Sequence, residues 1–344
     1  MKKEKFKLID LFCGAGGFTE GFKQVGFNPI FANDQSLDAV ITYTYNHPEA
    51  IVSDANIQEL NPHAVRKKLK LKRGEIDTLV GGPPCQGFSM AGKRNKTDPR
   101  NKLYEDFLAF VEVFEPKTLV MENVVGLLTM RTSSDESVIE IISRDFERIG
   151  YKTKYEVLDA AEYGAPQHRR RVIFIANSLG VNNGTLFPKI THGPKSHKKT
   201  AFSTVGEAIG DLVEVNDSLD AWNHKPMIHS QIVRERLEKM PLGADLAVNQ
   251  TFLPKRLRRT AFAYNCKRLE WSKPSVTLVP GHYALPVHPT KPRTITVREA
   301  ARIQGFPDDY LFFGKRDTQA ALVGNAVPVE LARAIGQRIK VFIG

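Results

Sequence analysis

Residues 6–25 are FKLIDLFCGAGGFTEGFKQV, and this segment indicates the architecture of the N-terminal half of the chain. The mostly apolar run from Phe6 to Phe12 predicts a buried β-strand. A glycine-rich turn follows it, and a helix is predicted to start near Gly16. Glycines at a strand-to-helix turn let a ligand approach the backbone and the N-terminus of the helix. The segment therefore predicts a ligand site directly after the first strand.

The same alternation continues along the first half of the chain. Further strands are predicted at 28–33, 51–52, 76–80, 117–121 and 171–176, and helices at 37–45, 103–114 and 138–149. Strands that alternate with helices pair in parallel through right-handed crossovers. The predicted fold class is α/β, with a doubly wound, mixed, mostly parallel sheet of the Rossmann-like type. Ligands of such sheets bind beyond the carboxyl ends of the strands.

The regular pattern weakens after about residue 178 and returns in helices predicted at 297–304 and 328–339. Turn-forming residues are frequent between these points, which predicts a second, smaller, irregular domain. We expect one domain to comprise residues 1–180 plus 312–344 and the other residues 181–311.

Composition limits the class of protein. The chain has 344 residues, of which 42% are hydrophobic, so it can bury a large core. Its apolar runs are shorter than the roughly 20 residues of a membrane helix, and no signal-peptide core follows Met1, so we expect a cytoplasmic protein without a membrane partner. Three cysteines without a CxxC pair predict neither a disulfide framework nor a metal site. The net charge of +11 is compatible with a nucleic-acid partner.

Acidic residues follow the second and third strands. Asp34 and Asp54 are suited to accept hydrogen bonds from ribose hydroxyls or from a base. The glycine pattern Gly14-x-Gly16-Gly17 departs from the G-x-G-x-x-G of dinucleotide sites. Alternatively, these glycines only shape a turn and the acids only cap helices.

A second group of residues could carry out a reaction. Strand 76–80 leads into Gly82-Pro83-Pro84-Cys85, the strand at 117–121 leads into Glu122, and Gln167-His168-Arg169-Arg170-Arg171 precedes a further strand. A thiol, a carboxyl group and a guanidinium on one edge suit covalent attack on an electron-poor ring. Equally, Cys85 could be a small buried hydrophobe, Glu122 a helix cap and the arginines a solvated surface.

These segments form an ordered series that resembles the bacterial type of DNA (cytosine-5-)-methyltransferase. The matching segments are residues 10–18, 34, 54–57, 82–89, 122–124, 167–171, 298–308 and 324–328. The stretch from about 180 to 290 does not match, and in this family it is the place of the variable target-recognition region. The resemblance thus assigns the large domain to catalysis and S-adenosylmethionine binding, and the small domain to target recognition.

The resemblance implies a site for S-adenosylmethionine. It assigns the methionine part to the glycine turn, the ribose to Asp34, the adenine to Asp54 and closure of the pocket to Asn325. The full set of expected cofactor contacts is Phe12, Gly14, Ala15, Gly16, Gly17, Phe18, Asp34, Asp54, Ala55, Pro83, Asn325 and Ala326.

The resemblance also implies the reaction. Cys85 would add to carbon 6 of cytosine, Glu122 would hold ring nitrogen 3 and the exocyclic amine, and Arg169 would contact the carbonyl at position 2. The addition makes carbon 5 enamine-like, so that it can accept the methyl group, and no metal is required. The expected catalytic set is completed by Gln167 and Arg171. Stacked bases block this attack, so the cytosine must leave the duplex.

The expected macromolecular partner is double-stranded DNA, bound by a monomer, with a separately acting companion restriction endonuclease as a further expectation. We expect residues 86–100 to form a loop that closes over the flipped base. The candidate DNA contacts are Gln86, Ser89, Lys93, Arg94, Lys255, Arg256, Arg258, Arg259 and Thr277. The recognised DNA sequence does not follow from these residues.

Three other functions are compatible with parts of the pattern. A tRNA cytosine-5 methyltransferase would use nearly the same catalytic residues. A catalytically inactive DNA-binding protein could retain the fold, although it would not need Cys85, Glu122 and Arg169 together. A nucleotide-dependent oxidoreductase would explain the glycine turn and leave the Pro-Pro-Cys-Gln segment unexplained.

Overall fold

The computed structural model describes residues 6–84, 103–132, 135–197, 200–212, 223–259, 266–280 and 285–344. Seven strands in these ranges form one sheet: β1 (Phe6–Leu11), β2 (Phe27–Asn33), β3 (Ile51–Ser53), β4 (Thr78–Gly81), β5 (Thr118–Val124), β6 (Thr153–Asp159) and β7 (Arg170–Asn177). Their order in the sheet is β3-β2-β1-β4-β5-β7-β6.

Ten α-helices lie in the same ranges. They are α1 (Gly17–Gln24), α2 (Leu37–Asn46), α3 (Pro62–Lys68), α4 (Leu103–Phe114), α5 (Val138–Arg148), α6 (Val205–Ile209), α7 (Gln231–Glu238), α8 (Val297–Ile303), α9 (Arg316–Asn325) and α10 (Val329–Ile343). Within the described ranges, no helix is long and apolar enough to cross a membrane.

The predicted sheet is confirmed: β1 to β5 pair in parallel, whereas β7 runs antiparallel to both β5 and β6. Strand β6 was not predicted because most of its residues are only partly buried, so its sequence lacks the apolar run of a central strand. Helix α3 was not predicted either, because it is short and buries only Val65. The strand predicted at 76–80 is found at Thr78–Gly81, so it starts two residues later than predicted.

The core of the sheet is closed by aromatic side chains of α4. Phe107, Phe110 and Phe114 lie on one face of this helix and are almost fully buried. The helix packs so closely that a Cβ atom on Gly81 would lie 2.8 Å from the Phe107 ring and 2.7 Å from the carbonyl oxygen of Leu11. Glycine is therefore required at the end of β4, directly before the segment that leads to Cys85.

Contacts between residues divide the chain into two compact units. One comprises residues 1–159, 170–189 and 332–344, and the other comprises residues 160–169 and 190–331. Segments 160–169 and 312–331 thus fall in the second unit, unlike in the division expected from the sequence. The backbone amide of His168 donates to the carbonyl oxygen of Ser275, and that of Val329 donates to the carbonyl oxygen of Gln304. These bonds link both segments to other residues of the second unit. The predicted functional boundaries stay a prediction, because contact density does not test them.

We predict that Gly81→Ala lowers the free energy of unfolding by about 1–3 kcal/mol, the usual cost of forcing an extra methyl group into a packed core. The matched control is Gly126→Ala, where a Cβ atom would meet its nearest neighbour, Met130, at an ordinary 3.8 Å. Chemical denaturation of both variants measures the difference. Equal stability of Gly81→Ala and wild type would contradict the packing described here.

Candidate functional site

The turn after β1 has an unusual backbone. Phe12, Gly14 and Gly16 have φ angles of 56°, 52° and 81°, all in the left-handed region. A bulky residue such as Phe12 rarely adopts this conformation, so the surrounding structure must hold it there. Gly16 caps α1 without a side-chain hydrogen bond, and within the first turn the Thr19 amide bonds the carboxyl group of Asp10. Apart from its neighbours in the chain, no atom of the described residues lies within 4 Å of the position of a Cβ on Gly14, so this part of the turn has space around it.

The carboxylate of Asp34 fastens this turn to the end of β2. Its Oδ2 accepts a hydrogen bond from the Gly14 amide at 2.9 Å, and its Oδ1 accepts one from the Ser36 amide at 2.9 Å. Burial raises the pKa of Asp34, while the two amide hydrogen bonds oppose that rise. A carboxylate has about four acceptor positions, so Asp34 retains acceptors for a ligand.

The end of β3 is held in a similar way. The side-chain amide of Asn33 donates to the carbonyl oxygens of Ser53 and Ala55 at 3.0 and 2.9 Å. Asp54 between them is exposed. The sheet thus brings the predicted cofactor residues after β1, β2 and β3 to the same edge, because these three strands are adjacent and parallel.

The ends of β4 and β5 form the next part of this edge. The carbonyl oxygen of Pro83 accepts a hydrogen bond from the side chain of Asn123 at 3.1 Å. A Cβ atom on Gly82 would lie 3.3 Å from Oε2 of Glu122, so the backbone before Cys85 passes next to this carboxyl group. Asn123 was given no separate role from the sequence. The signal was a polar side chain inside an otherwise apolar buried strand.

An arginine from β7 completes the group. Nε of Arg171 lies 2.7 Å from Oε1 of Glu122, and the two side chains are only 14% and 13% exposed. Because β7 is antiparallel to β5, its first residues lie beside the last residues of β5, and Arg171 pairs with Val124 in the ladder. The structure thus brings Glu122 and Arg171 together.

Arg169 has a different environment within the second unit. It is 2% exposed, and its guanidinium donates to the carbonyl oxygens of Leu278 at 2.7 Å and Asn325 at 3.2 Å. It lies directly before β7 and is the last residue of the segment 160–169, which belongs to the second unit. The arginine that lies beside Glu122 is Arg171, whereas the family resemblance implied that Arg169 contacts the carbonyl at position 2 of the base. A direct contact between Arg169 and the base stays a prediction.

Gln167 belongs to a buried pair of amides. Its Nε2 donates to Oε1 of Gln304, and its Oε1 accepts from the Leu278 amide at 3.2 Å. Gln304 in turn donates to the carbonyl oxygens of Val323 and Ala326 at 2.6 and 3.2 Å. This network fixes the segment around Ala326, and sequence reasoning gave Gln304 no role beyond its place in a motif. The side chain of Asn325 is exposed.

The candidate DNA contacts of the second unit differ in their bonding. Arg256 forms an ion pair with Glu235, and Arg258 donates to the carbonyl oxygens of Leu253 and Thr251. Lys255 and Arg259 are exposed. The hydroxyl of Thr277 donates to the His168 carbonyl at 2.6 Å.

Several predicted residues lie outside the described ranges. They are the nucleophile Cys85, the DNA contacts Gln86, Ser89, Lys93 and Arg94, and the rest of the predicted closing loop at 86–100. In the described part of the chain, no group of three or more His, Cys, Asp or Glu side chains is arranged to hold a metal ion.

Comparisons with known proteins agree with this geometry. The model of the family "C-5 cytosine-specific DNA methylase" matches residues 6–341. The Type II methyltransferase M.DdeI of Desulfomicrobium norvegicum is 37% identical over 96% of this chain and 88% of its own length. The Type II methyltransferase M1.HphI of Haemophilus parahaemolyticus is 37% identical over 96% of this chain and 86% of its own length.

Solved structures give the same result for the fold. An E. coli structure described as a DNA modification methyltransferase encoded within a prophage has a TM-score of 0.77 and 25% identity, and the match covers 98% of this chain and 99% of that chain. DNMT2 of Spodoptera frugiperda has a TM-score of 0.62 with 18% identity over 98% of this chain and 100% of that chain, which shows a shared fold only.

Arg169→Met is expected to lower the free energy of unfolding by about 2–4 kcal/mol, because two buried carbonyls lose charged hydrogen-bond donors. The neighbouring Arg170 is exposed and provides the control. Arg170→Met should change stability by no more than about 0.5 kcal/mol. Thermal and chemical unfolding compare the two variants. Equal effects at both positions would show that the bonds of Arg169 do not stabilise the fold.

Proposed function

This chain belongs to the family of C-5 cytosine-specific DNA methylases, and from that premise we propose how its residues act on DNA. It is a DNA (cytosine-5-)-methyltransferase whose named relatives are Type II methyltransferases of restriction–modification systems. We propose that it transfers the methyl group of S-adenosylmethionine to a cytosine that has left the duplex, through a covalent bond between Cys85 and carbon 6. The family and the named relatives support DNA rather than tRNA as the substrate, and they favour neither an inactive binding protein nor an oxidoreductase.

The observation that carries this proposal is the Glu122–Arg171 pair beside the backbone of Gly82. Gly82 precedes Cys85 by three residues in the sequence, which supports the proposal that the thiol acts at this edge. Arg171 holds Oε1 of Glu122 at 2.7 Å, which fixes the direction of the carboxyl group before substrate binds. Preorganised groups of this kind stabilise charge that develops during a reaction without having to reorganise.

In the proposed reaction, the thiolate of Cys85 forms a bond to carbon 6 of cytosine. A proton shared between Glu122 and ring nitrogen 3 neutralises the negative charge that develops on that nitrogen, and so makes carbon 5 nucleophilic. Carbon 5 then forms a bond to the methyl carbon, whose bond to sulfur would break with the electron pair left on sulfur. Carbon 5 afterwards loses its proton to a base. The electron pair of that C–H bond restores the double bond and expels the Cys85 thiolate. The ring must be accessible on its face, so the cytosine is flipped out of the duplex.

The turn after β1 fits the proposed cofactor. S-adenosylmethionine, when bound, supplies the sulfonium methyl group that carbon 5 accepts. The N-terminus of α1, which Gly16 caps without a side chain, is suited to a carboxylate, and the space at Gly14 suits a ligand. Asp34 has acceptor positions left for ribose hydroxyls, while Pro83, two residues after the end of the adjacent strand β4, is buried and held by Asn123. The roles of Asp54, Ala55, Asn325 and Ala326 are proposed from the family alone.

DNA binding is proposed for the second unit and for the segment after Cys85. Lys255 and Arg259 are exposed and suited to phosphate contacts. Arg256 pairs with Glu235, and Arg258 donates to backbone carbonyl oxygens. We further propose that the enzyme acts as a monomer in the cytoplasm and protects DNA from a separate restriction endonuclease.

Cys85→Ala should abolish methyl transfer to duplex DNA and the covalent adduct with 5-fluorocytosine DNA, because the bond to carbon 6 cannot form. Cys266→Ala, which removes another thiol, is the control and should retain activity. Radiolabelled methyl transfer and gel analysis of the adduct measure both. Methyl transfer that survives in Cys85→Ala would exclude the proposed mechanism.

Glu122→Gln and Arg171→Met should each lower kcat by about 10²–10⁴-fold, the usual contribution of a positioned acid–base group. Cofactor affinity should change little in both variants, because neither side chain belongs to the proposed cofactor turn. Single-turnover rates and calorimetry separate these effects. Full activity of Arg171→Met would show that the ion pair with Glu122 is not needed.

Asp34→Ala should weaken S-adenosylmethionine binding at least about tenfold, since a carboxylate hydrogen bond contributes about 1.5–3 kcal/mol. Asp38→Ala, four residues away in the first turn of α2, serves as the control. Isothermal titration calorimetry gives both dissociation constants. If the two variants bind the cofactor equally well, Asp34 is not a ribose contact.

A further inference from the structure

A buried carboxyl group near the end of β1 has no part in the mechanism described above. Asp10 is 1% exposed, and its Oδ2 accepts a hydrogen bond from the Thr19 hydroxyl at 2.7 Å. The same hydroxyl lies 2.7 Å from the Tyr43 hydroxyl. Thr19 and Tyr43 are completely buried. A chain of hydroxyl groups from α2 through α1 therefore ends on this carboxyl group, two residues before the left-handed Phe12.

The groups around Asp10 are themselves acidic or neutral. Burial raises the pKa of Asp10 from 3.8 to about 7, and the charge of Asp34 adds to this rise. Two hydrogen bonds from Thr19 oppose it, the stronger from the hydroxyl and the weaker from the backbone amide. Cys13, in the glycine turn, responds to the same carboxylates: burial and then the charges of Asp10 and Asp34 raise the pKa of its thiol. The charge of Asp10 therefore acts on the turn assigned to the cofactor. Near neutral pH this carboxyl group is poised between its two protonation states.

The two molecules that must occupy this turn in succession differ by one charge. S-adenosylmethionine carries a positive sulfonium, whereas its product, S-adenosylhomocysteine, has a neutral thioether at the same place. A positive charge near a carboxyl group favours its ionised form. A buried carboxyl group in a low-dielectric site responds more strongly than a solvated one.

We propose that Asp10 distinguishes the methyl donor from the spent product: it releases its proton when S-adenosylmethionine binds and retains it when S-adenosylhomocysteine binds. This inference rests on the proposed function, because it assumes that the turn binds these two molecules. The O–H bond of the carboxyl group breaks, the proton passes to the solvent, and no electron is transferred. Thr19 donates to the carboxylate that forms, and Tyr43 can donate to Thr19, so the hydroxyl chain stabilises the ionised state.

Binding and proton release are reciprocal. If donor binding releases a proton, donor affinity rises with pH over the range in which the free protein still holds that proton. Product affinity rises less, because the thioether does not stabilise the carboxylate. The preference for donor over product therefore increases through neutral pH, and the site loses its product more readily there.

Isothermal titration calorimetry in buffers of different ionisation enthalpy tests this proposal on the whole chain. At about pH 7, S-adenosylmethionine should release a measurable fraction of a proton, and S-adenosylhomocysteine clearly less. The ratio of their affinities should rise at least about threefold in favour of the donor between about pH 6 and pH 8. Equal proton release by both ligands, or a constant affinity ratio, overturns the proposal.

Two variants assign the effect to Asp10. Asp10→Asn should bind both ligands with an affinity ratio that does not depend on pH, whereas Asp38→Asn should behave like wild type. Thr19→Val removes the hydrogen bond that favours the ionised carboxyl group, so its pH transition should move to higher pH. If proton release persists in Asp10→Asn, or if the transition in Thr19→Val stays in place, another group is responsible.

The stability of the free protein gives an independent readout. The pKa of Asp10 is higher in the folded chain than in the unfolded chain, so the folded state binds the extra proton. The stability that protonated Asp10 contributes is fully present below about pH 4 and is lost as the pH rises towards 7. The free energy of unfolding of Asp10→Asn should not show this loss. A wild type that fails to bind S-adenosylmethionine at all would refute the proposed function. A wild type that binds both ligands without differential proton release refutes only the role of Asp10.

Discussion

The ion pair between Glu122 and Arg171 depends on the one strand of the central sheet that reverses direction. A parallel β7 would present its first residues at the opposite edge of the sheet. The antiparallel β7 places Arg171 beside Val124, at the carboxyl end of β5. Two charged side chains that are 14% and 13% exposed are costly to separate, because each would then be left poorly solvated without its partner. The topology of the sheet and the orientation of Glu122 are therefore linked.

The rest of the reacting edge is fixed by close packing. Gly81 lies against Leu11 and the Phe107 ring, and Gly82 lies against Glu122, so neither position has room for a larger residue without a shift of its neighbours. Asn123 holds the Pro83 carbonyl at 3.1 Å. These contacts set the direction in which the chain leaves β4 towards Cys85. The aromatic core beneath the sheet thus contributes to the site by limiting where that backbone can go.

Much of this arrangement could be predicted from the sequence, since buried parallel strands have continuous apolar runs and the functional residues follow them directly. Asp34, Glu122 and the glycine turn were placed correctly on one edge for this reason. It was harder to predict which side chains contact each other. Arg169 and Arg171 are two residues apart in one motif, and only the start of β7 between them determines which one belongs to the same unit as Glu122. The buried bond between Gln167 and Gln304 joins distant segments, so spacing along the chain carried no sign of it.

The central claim is that Cys85 attacks a flipped cytosine whose far edge is held by Glu122 and Arg171. A crystal structure of the protein bound to S-adenosylmethionine and a duplex containing 5-fluorocytosine tests it most directly. We predict a bond between Sγ of Cys85 and carbon 6, with Glu122 within about 3 Å of ring nitrogen 3 and Arg171 still paired with Glu122. An intact thiol beside a stacked cytosine, or a Glu122 carboxyl group turned away from the base, would contradict the account.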